Sequence, residues 1–137
     1  MKISVITQHS VFMPNRPGSL DDLAKRFLEE GVNIVGISSE VRDDSAMVRI
    51  ALDGEKNSSA VISKAGYASV ESKLISVELD DKPGQLHHLT HALAQGGVNI
   101  TNVYGTALGG RSSRLLIAVE NIQKALRILE GLKASER

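Results

Sequence analysis

Two short stretches of this 137-residue chain, "NRPGSL" at residues 15–20 and "DKPGQL" at residues 81–86, are nearly the same loop. Each places a proline, which fixes φ, and a glycine directly before apolar residues at helical spacing, a pattern that predicts a tight turn opening an amphipathic helix. Pro17 and Pro83 are 66 positions apart (83 − 17), and the same offset relates "GVNI" at 31–34 to "GVNI" at 97–100. The sequence therefore predicts two copies of one structural unit in a common register.

The two predicted helices share an apolar stripe: Leu20, Leu23 and Phe27 in the first copy, and Leu86, Leu89 and Leu93 in the second. In the first helix, Ser19 and Asp22 have the spacing of a capping box, and Gly31 predicts a left-handed helix end. The second helix is predicted to start at Pro83 and to end at residues 96–97.

The remaining segments alternate in hydrophobicity or have helical periodicity, and they complete both copies in the same order. Predicted strands are 34–41 and 46–52 around the turn "RDDS", 100–107 and 115–119 around the turn "LGGR", and 67–71; predicted helices are about 56–65 and 120–132. The result is an α+β fold of two ferredoxin-like βαββαβ units, each an antiparallel sheet with helices on one face.

The second copy lacks a strand pattern at its end, because only "KASER" follows its last helix. The first copy begins with extra residues, "KISVIT", and residues 67–79 contain no Gly or Pro. We therefore predict units at 1–70 and 71–137 that exchange edge strands, with residues 2–6 completing the sheet of the second unit.

Composition excludes several functions. Lys plus Arg and Asp plus Glu both total 16, so no net charge attracts nucleic acid or an anionic membrane, and there is no cysteine for a disulfide, a thiolate or a zinc ribbon. The N-terminus has no apolar run long enough for a signal peptide or a membrane span. We expect a cytoplasmic protein that needs no metal or cofactor.

The pattern of a strand, "NRPGSL", a helix ending in glycine and then "VNI" resembles the ACT domain, an amino-acid-sensing module of enzymes in amino-acid metabolism. Two tandem copies span nearly the whole chain, as in small stand-alone tandem ACT proteins without a catalytic domain. The resemblance implies a non-enzymatic regulatory protein that binds a free amino acid. It leaves open a homodimer, a regulated enzyme or a transcription factor as partner.

The loops suit an amino acid because free N–H groups at a helix N-terminus bind a carboxylate. The expected ligand-binding residues are Asn15, Pro17, Gly18, Ser19, Leu20 and Asn33 in the first copy, and Asp81, Gly84, Gln85, Leu86 and Asn99 in the second.

The resemblance implies that the loop of one unit meets the asparagine of the other. One such pocket would hold Asn15, Gly18 and Asn99, and the other would hold Asp81, Gly84 and Asn33. Met13 and Leu79 stand where the serine-sensing family members have a histidine, so we do not predict that serine is the ligand. Asp81 would repel a ligand carboxylate, and we expect unequal pockets.

Three alternatives remain beside this interpretation. A regulatory subunit without a ligand would keep the same loops for structural reasons alone. An acylphosphatase-like enzyme could use Arg16 and Asn33. His87 and His91 have the i, i+4 spacing of helical metal ligands, although their positions fall outside the apolar stripe and indicate a solvated helix face.

Overall fold

A computed structural model describes residues 1–54 and 58–136. Its elements are β1 (Lys2–Pro14), α1 (Ser19–Glu29), β2 (Ile34–Arg42), β3 (Ser45–Leu52), α2 (Ser58–Lys64), β4 (Ala68–Asp80), α3 (Gln85–Gln95), β5 (Ile100–Gly109), β6 (Ser112–Val119) and α4 (Ile122–Ser135). The predicted α+β order of two ferredoxin-like units is confirmed. The helix predicted over 56–65 is α2, and positions 56 and 57 lie outside the described residues.

Two compact units make up the chain. Ile6–Lys73 form the N-terminal unit, and Met1–Val5 together with Leu74–Arg137 form the C-terminal unit. Strands β1 and β4 are each 13 residues long, and both contribute residues to each unit.

The N-terminal unit has the strand order β2-β3-β1-β4, in which β3 pairs antiparallel with both β1 and β2. Between β1 and β4, Lys73 Nζ donates to Thr7 Oγ1 at 2.9 Å and Gln8 Nε2 donates to Ser72 Oγ at 3.3 Å. Residue numbers rise along one strand and fall along the other, so this pair is also antiparallel.

One face of this sheet carries the core of the N-terminal unit. Buried residues alternate along β1 and β3 and meet α1 and α2: Val11, Met13, Val48, Ile50, Leu52, Leu23, Phe27 and Ile62. Strand positions two apart point to the same face and helix positions four apart lie on the same side. The predicted placement of both helices on one face is confirmed in this unit.

The C-terminal unit has the strand order β1-β4-β6-β5, with β6 antiparallel to β4 and β5. Its core joins β4 and β6 to α3 and α4 through Ile75, Val77, Ile117, Leu89, Leu93, Val98, Ala125 and Leu129. Met1 and Ile3 pack against this core, which is how the first residues of the chain belong to the unit.

The starts of α1 and α3 differ from the prediction. Gly18 and Gly84 occupy the N-cap positions, both with φ 92, and neither helix start has a side-chain cap. The predicted capping box of Ser19 and Asp22 is therefore wrong. Because Gly18 takes the cap position, Ser19 becomes the first helical residue and is buried on the side of Leu23, one turn before it.

The apolar stripes also begin later than predicted. Leu20 is 43% exposed and Leu86 is 51% exposed, whereas Leu23 and Leu89 are buried. In both units the second helical residue therefore presents an apolar side chain to solvent beside the loop. None of the helices in the described ranges is long and apolar enough to cross a membrane.

Candidate ligand-binding site

The loop before α1 leaves backbone donors without acceptors. The Ser19 N–H donates to the Arg16 carbonyl at 3.4 Å, so this predicted ligand donor is used within the loop. Within residues 1–54 and 58–136, the N–H groups of Leu20 and Asp21 have no acceptor. They stand at the positive end of the α1 dipole, where an anion is stabilised.

The loop before α3 repeats this arrangement. The Gln85 N–H donates to the Lys82 carbonyl at 3.4 Å. The N–H groups of Leu86 and His87 have no acceptor in the part of the chain that the structure describes. The internal duplication therefore conserves two free donors per loop.

Helix α4 differs from α1 and α3 in having a side-chain cap, although the Ile122 and Gln123 N–H groups at its start also have no acceptor among the described residues. Its N-cap residue, Asn121, accepts a hydrogen bond from the Lys124 N–H at 3.1 Å through its side chain. An asparagine, serine or aspartate cap supplies the acceptor that a helix start lacks. At α1 and α3 a left-handed glycine stands in the place of such a side chain, so the free N–H groups are left to water or to a bound anion.

The predicted polar loop residues, Asn15 and Asp81, are tied to the hairpin turns of their own units. The Asn15 N–H donates to the Asp44 carbonyl at 2.8 Å, and its side-chain nitrogen donates to the Asp43 carbonyl at 3.1 Å. The Asp81 N–H donates to the Arg111 carbonyl at 2.6 Å. The loops are thus held in place before any ligand binds.

The predicted asparagines after the helices lie far from the loop of the same unit. Asn33 follows α1 and Asn99 follows α3, and each helix has 11 residues, which span about 16 Å. Both side chains are exposed, and Asn99 Nδ2 donates to Glu120 Oε1 at 3.1 Å. The meeting of each asparagine with the other loop stays a prediction.

A cleft of about 1040 Å³ opens beside the N-terminal loop. Pro14 and Arg16 of the loop line it, although Asn15, Pro17, Gly18, Ser19, Leu20 and Asn33 do not. Its other walls come from the end of β1, the β2–β3 hairpin and the segment after α2, including Phe12, Met47, Arg42 and Tyr67. These residues were missed as ligand-binding residues by sequence reasoning because none of them belongs to a motif with binding chemistry.

Smaller cavities flank the C-terminal loop. One of about 360 Å³ is lined by Asp81, Gln85 and Leu86 together with Thr106 and Arg114, and another of about 560 Å³ includes Gly84 and Pro83. Four of the predicted residues of this loop, Asp81, Gly84, Gln85 and Leu86, therefore line a cavity, whereas Asn99 does not.

An ion pair lies beside the smaller of these cavities, which Arg114 lines. Arg114 Nη2 donates to Glu78 Oε1 at 2.6 Å across β6 and β4. This hydrogen bond holds the pKa of the Glu78 carboxyl below its usual value of 4.5. Arg114 Nε is buried and without a partner among the described residues.

The histidines of α3 lie on its exposed face. The His87 and His91 ring centroids are 5.5 Å apart, and both residues are exposed, as is His88. Over residues 1–54 and 58–136 there is no group of three or more His, Cys, Asp or Glu residues that could hold a metal ion.

Comparisons with known proteins agree with the duplicated fold. A family profile described as an ACT domain pair matches residues 4–133, so the chain belongs to that family. No curated protein sequence matches the chain.

Solved structures resemble the whole chain at low sequence identity. A protein from Bacteroides thetaiotaomicron is 20% identical with a TM-score of 0.87, covering 96% of this chain and 90% of its own. The regulatory subunit of aspartate kinase from Thermus thermophilus, in a ligand-free form, is 16% identical with a TM-score of 0.67 and 96% of both chains covered. Clostridium acetobutylicum aspartate kinase is 14% identical with a TM-score of 0.61, over 93% of this chain and 33% of its own.

Proposed function

We propose that this protein is a non-catalytic regulatory sensor of a free amino acid, whose carboxylate binds the N–H groups at the start of α1. The observation that carries the proposal is the uncapped helix start, with free Leu20 and Asp21 N–H groups behind a left-handed glycine. A carboxylate supplies the acceptors that no side chain provides. The bound amino acid would then alter the affinity of the protein for a partner in amino-acid metabolism.

Family membership supports a regulatory role, because the matching profile is that of an ACT domain pair. Two of the structural neighbours are named a regulatory subunit of aspartate kinase and an allosteric aspartate kinase. Their low identity shows a common fold, and the extension of a regulatory function to this chain is part of the proposal.

The acylphosphatase-like alternative is disfavoured by the positions of its two candidate residues. Arg16 precedes α1 and Asn33 follows it, so the length of the helix, about 16 Å, lies between them. One active site in this unit cannot use both residues as a pair.

Calorimetric titration of the full chain with the twenty amino acids, in the native protein and in two variants, tests the proposal. Leu20→Pro removes one free N–H at a first-turn position where proline is tolerated, and Leu20→Ala is the matched control that keeps this N–H. Loss of one hydrogen bond to a charged group, about 1.5–3 kcal/mol, should weaken binding at least tenfold in Leu20→Pro only. Equal affinities in the two variants, or binding of no amino acid, would refute the proposal.

A further inference from the structure

The cleft beside the N-terminal loop combines an apolar wall with two guanidinium groups that have no ion-pair partner. We propose that this cleft binds an organic acid with a bulky apolar side chain, of which the large apolar amino acids are the simplest. The inference goes beyond the proposed function, because Leu20 and Asp21 do not line the cleft and a carboxylate bound there would occupy a second site beside the start of α1.

The apolar wall is formed by a cross-strand pair. Phe12 on β1 lies opposite Met47 on β3, and both line the cleft. Phe12, one of two phenylalanines in the chain, is 47% exposed, so a large part of its apolar ring faces the cleft and not the core. Ala46 and Tyr67 also line the cleft, but they pack against the core on the other face of the sheet, so the cleft reaches round the end of the strands. Ligand sites are typically apolar hollows with a few placed polar groups, and a bulky hydrocarbon group would remove this surface from water.

The charges of the cleft favour an anion. Two of its acids are neutralised by arginines that do not line it: Glu40 accepts from Arg49 Nη1 at 2.7 Å, and Asp22 accepts from Arg26 Nε at 3.4 Å.

The two arginines that do line the cleft are not used in this way. Arg16 and Arg42 form no ion pair within the described ranges, although the charge of Arg42 makes a minor contribution to the lowered pKa of Glu40, and Asp44 is the one lining acid there without an arginine partner. The uncompensated charge is therefore +1 (two arginines and one aspartate). A guanidinium group binds a carboxylate through two parallel hydrogen bonds.

The second copy of the unit shows the same place built differently. Glu78 and Arg114 are cross-strand partners at the positions of Phe12 and Met47. Their 2.6 Å hydrogen bond puts charge where the first copy has hydrocarbon, and the cavity there is about 360 Å³. The duplication thus contains its own polar counterpart, and the apolar cleft is specific to the N-terminal unit.

The test is calorimetric titration of the full chain with L-phenylalanine, L-leucine, L-serine, L-aspartate and 3-phenylpropionate, which lacks the amine. The swap variant Phe12→Glu/Met47→Arg copies the ion pair of the second unit, and circular dichroism checks that it folds. Arg42→Gln removes one cation from an exposed position of the cleft, and Arg127→Gln makes the same change on the exposed face of α4.

We expect the apolar acids to bind at least tenfold more tightly than serine and aspartate. The swap variant and Arg42→Gln should each weaken this binding at least tenfold, and Arg127→Gln should leave it unchanged. If 3-phenylpropionate binds as tightly as phenylalanine, a carboxylate and an apolar group are sufficient for binding in the cleft, and the amine is not needed.

One outcome would overturn the inference while the proposed function stands. In that outcome serine or aspartate binds, Leu20→Pro weakens the binding, and the swap variant and Arg42→Gln leave it intact. Binding of no amino acid and no 3-phenylpropionate would overturn both.

Discussion

The cross-strand pair of Glu78 and Arg114 should behave in opposite ways when one partner or both are replaced. Their side chains are 27% and 19% exposed, and the hydrogen bond between them is 2.6 Å long. Arg114→Met leaves a half-buried carboxylate without its donor, and Glu78→Phe leaves a half-buried guanidinium without its acceptor. Each single change should lower the free energy of unfolding by about 1.5–3 kcal/mol, the range for hydrogen bonds to charged groups.

The double variant Glu78→Phe/Arg114→Met installs the apolar pair that the N-terminal unit carries at the equivalent positions. Replacing both partners of an ion pair by apolar residues is often neutral or stabilising. We therefore expect the double variant to lie within about 1 kcal/mol of the native protein, so that the coupling energy of the cycle is on the order of 2–7 kcal/mol. Urea denaturation of the four proteins at neutral pH measures these differences.

The pH dependence of the free energy of unfolding tests the same pair in a second way. Because the pKa of Glu78 is lowered in the folded state, its contribution is present above the usual value of 4.5 and is lost as the pH falls through the folded-state value. The penalty of Arg114→Met should therefore shrink on acidification. A double variant as unstable as the sum of the single variants, or a penalty independent of pH, would refute this account of the pair.

Three further predictions concern single positions. Burial lowers the pKa of His9 below 6.5, and this effect outweighs the opposing charge of Glu71, while Lys73 lowers the pKa slightly further. The free energy of unfolding should therefore fall as the pH drops below 6.5, and His9→Gln should remove this part of the pH dependence. A pH profile of stability that is the same in His9→Gln would contradict this prediction. Ile3→Ala should destabilise the C-terminal unit by about 1–2 kcal/mol, because Ile3 is partly buried against that core, and amide exchange should show the loss in β4, β6 and α4 before it shows it elsewhere. Asp81→Asn should strengthen amino-acid binding at the C-terminal loop, because it removes the repulsion between the Asp81 carboxylate and the ligand carboxylate. Like charges ~6 Å apart cost on the order of 2–3 kcal/mol at an effective dielectric of about 20. A calorimetric stoichiometry that this change leaves unaffected would argue against unequal sites.

Glycine and turn chemistry made most of the fold predictable. Gly31 has φ 66 and Gly97 has φ 74, values that favour glycine, and α1 and α3 end just before them. The "RDDS" segment forms one hairpin turn, and the second turn lies at residues 110–111, inside "LGGR", because β5 continues to Gly109. Two apolar alternating runs separated by such residues have few other solutions. Because the C-terminus lacks a strand pattern, the sequence indicated that N-terminal residues complete the second sheet. Met1 and Ile3 pack against the core of that unit.

Side-chain roles at the helix starts were less predictable. Ser19 has the sequence context of a capping residue, but a left-handed glycine before it shifts the helix by one position and turns the hydroxyl inward, where it is buried without a partner among the described residues. A capping motif specifies spacing, and the backbone conformation of the preceding residue decides which residue occupies the cap.

The cleft could not be found from local patterns, because its parts are brought together by strand register. Phe12 and Met47 are 35 positions apart (47 − 12), and they meet because β1 and β3 pair antiparallel. The signal that was available is a comparison of the two copies: Phe12 aligns with Glu78 at an offset of 66, and Met47 aligns with Arg114 at an offset of 67, one residue longer because of the hairpin.

Because β1 and β4 each contribute to both units, a cut between Lys73 and Leu74 would not separate the chain into two self-sufficient pieces. The fragment 1–73 would keep the whole N-terminal unit and also carry Met1–Val5, which belong to the C-terminal unit. The fragment 74–137 would have one strand fewer than its sheet requires and would present an open edge of β4. The two fragments are therefore suited to complementation, in which the second becomes structured when the first donates the missing strand, and the protein could be used as a split reporter whose two halves recognise each other through an edge strand.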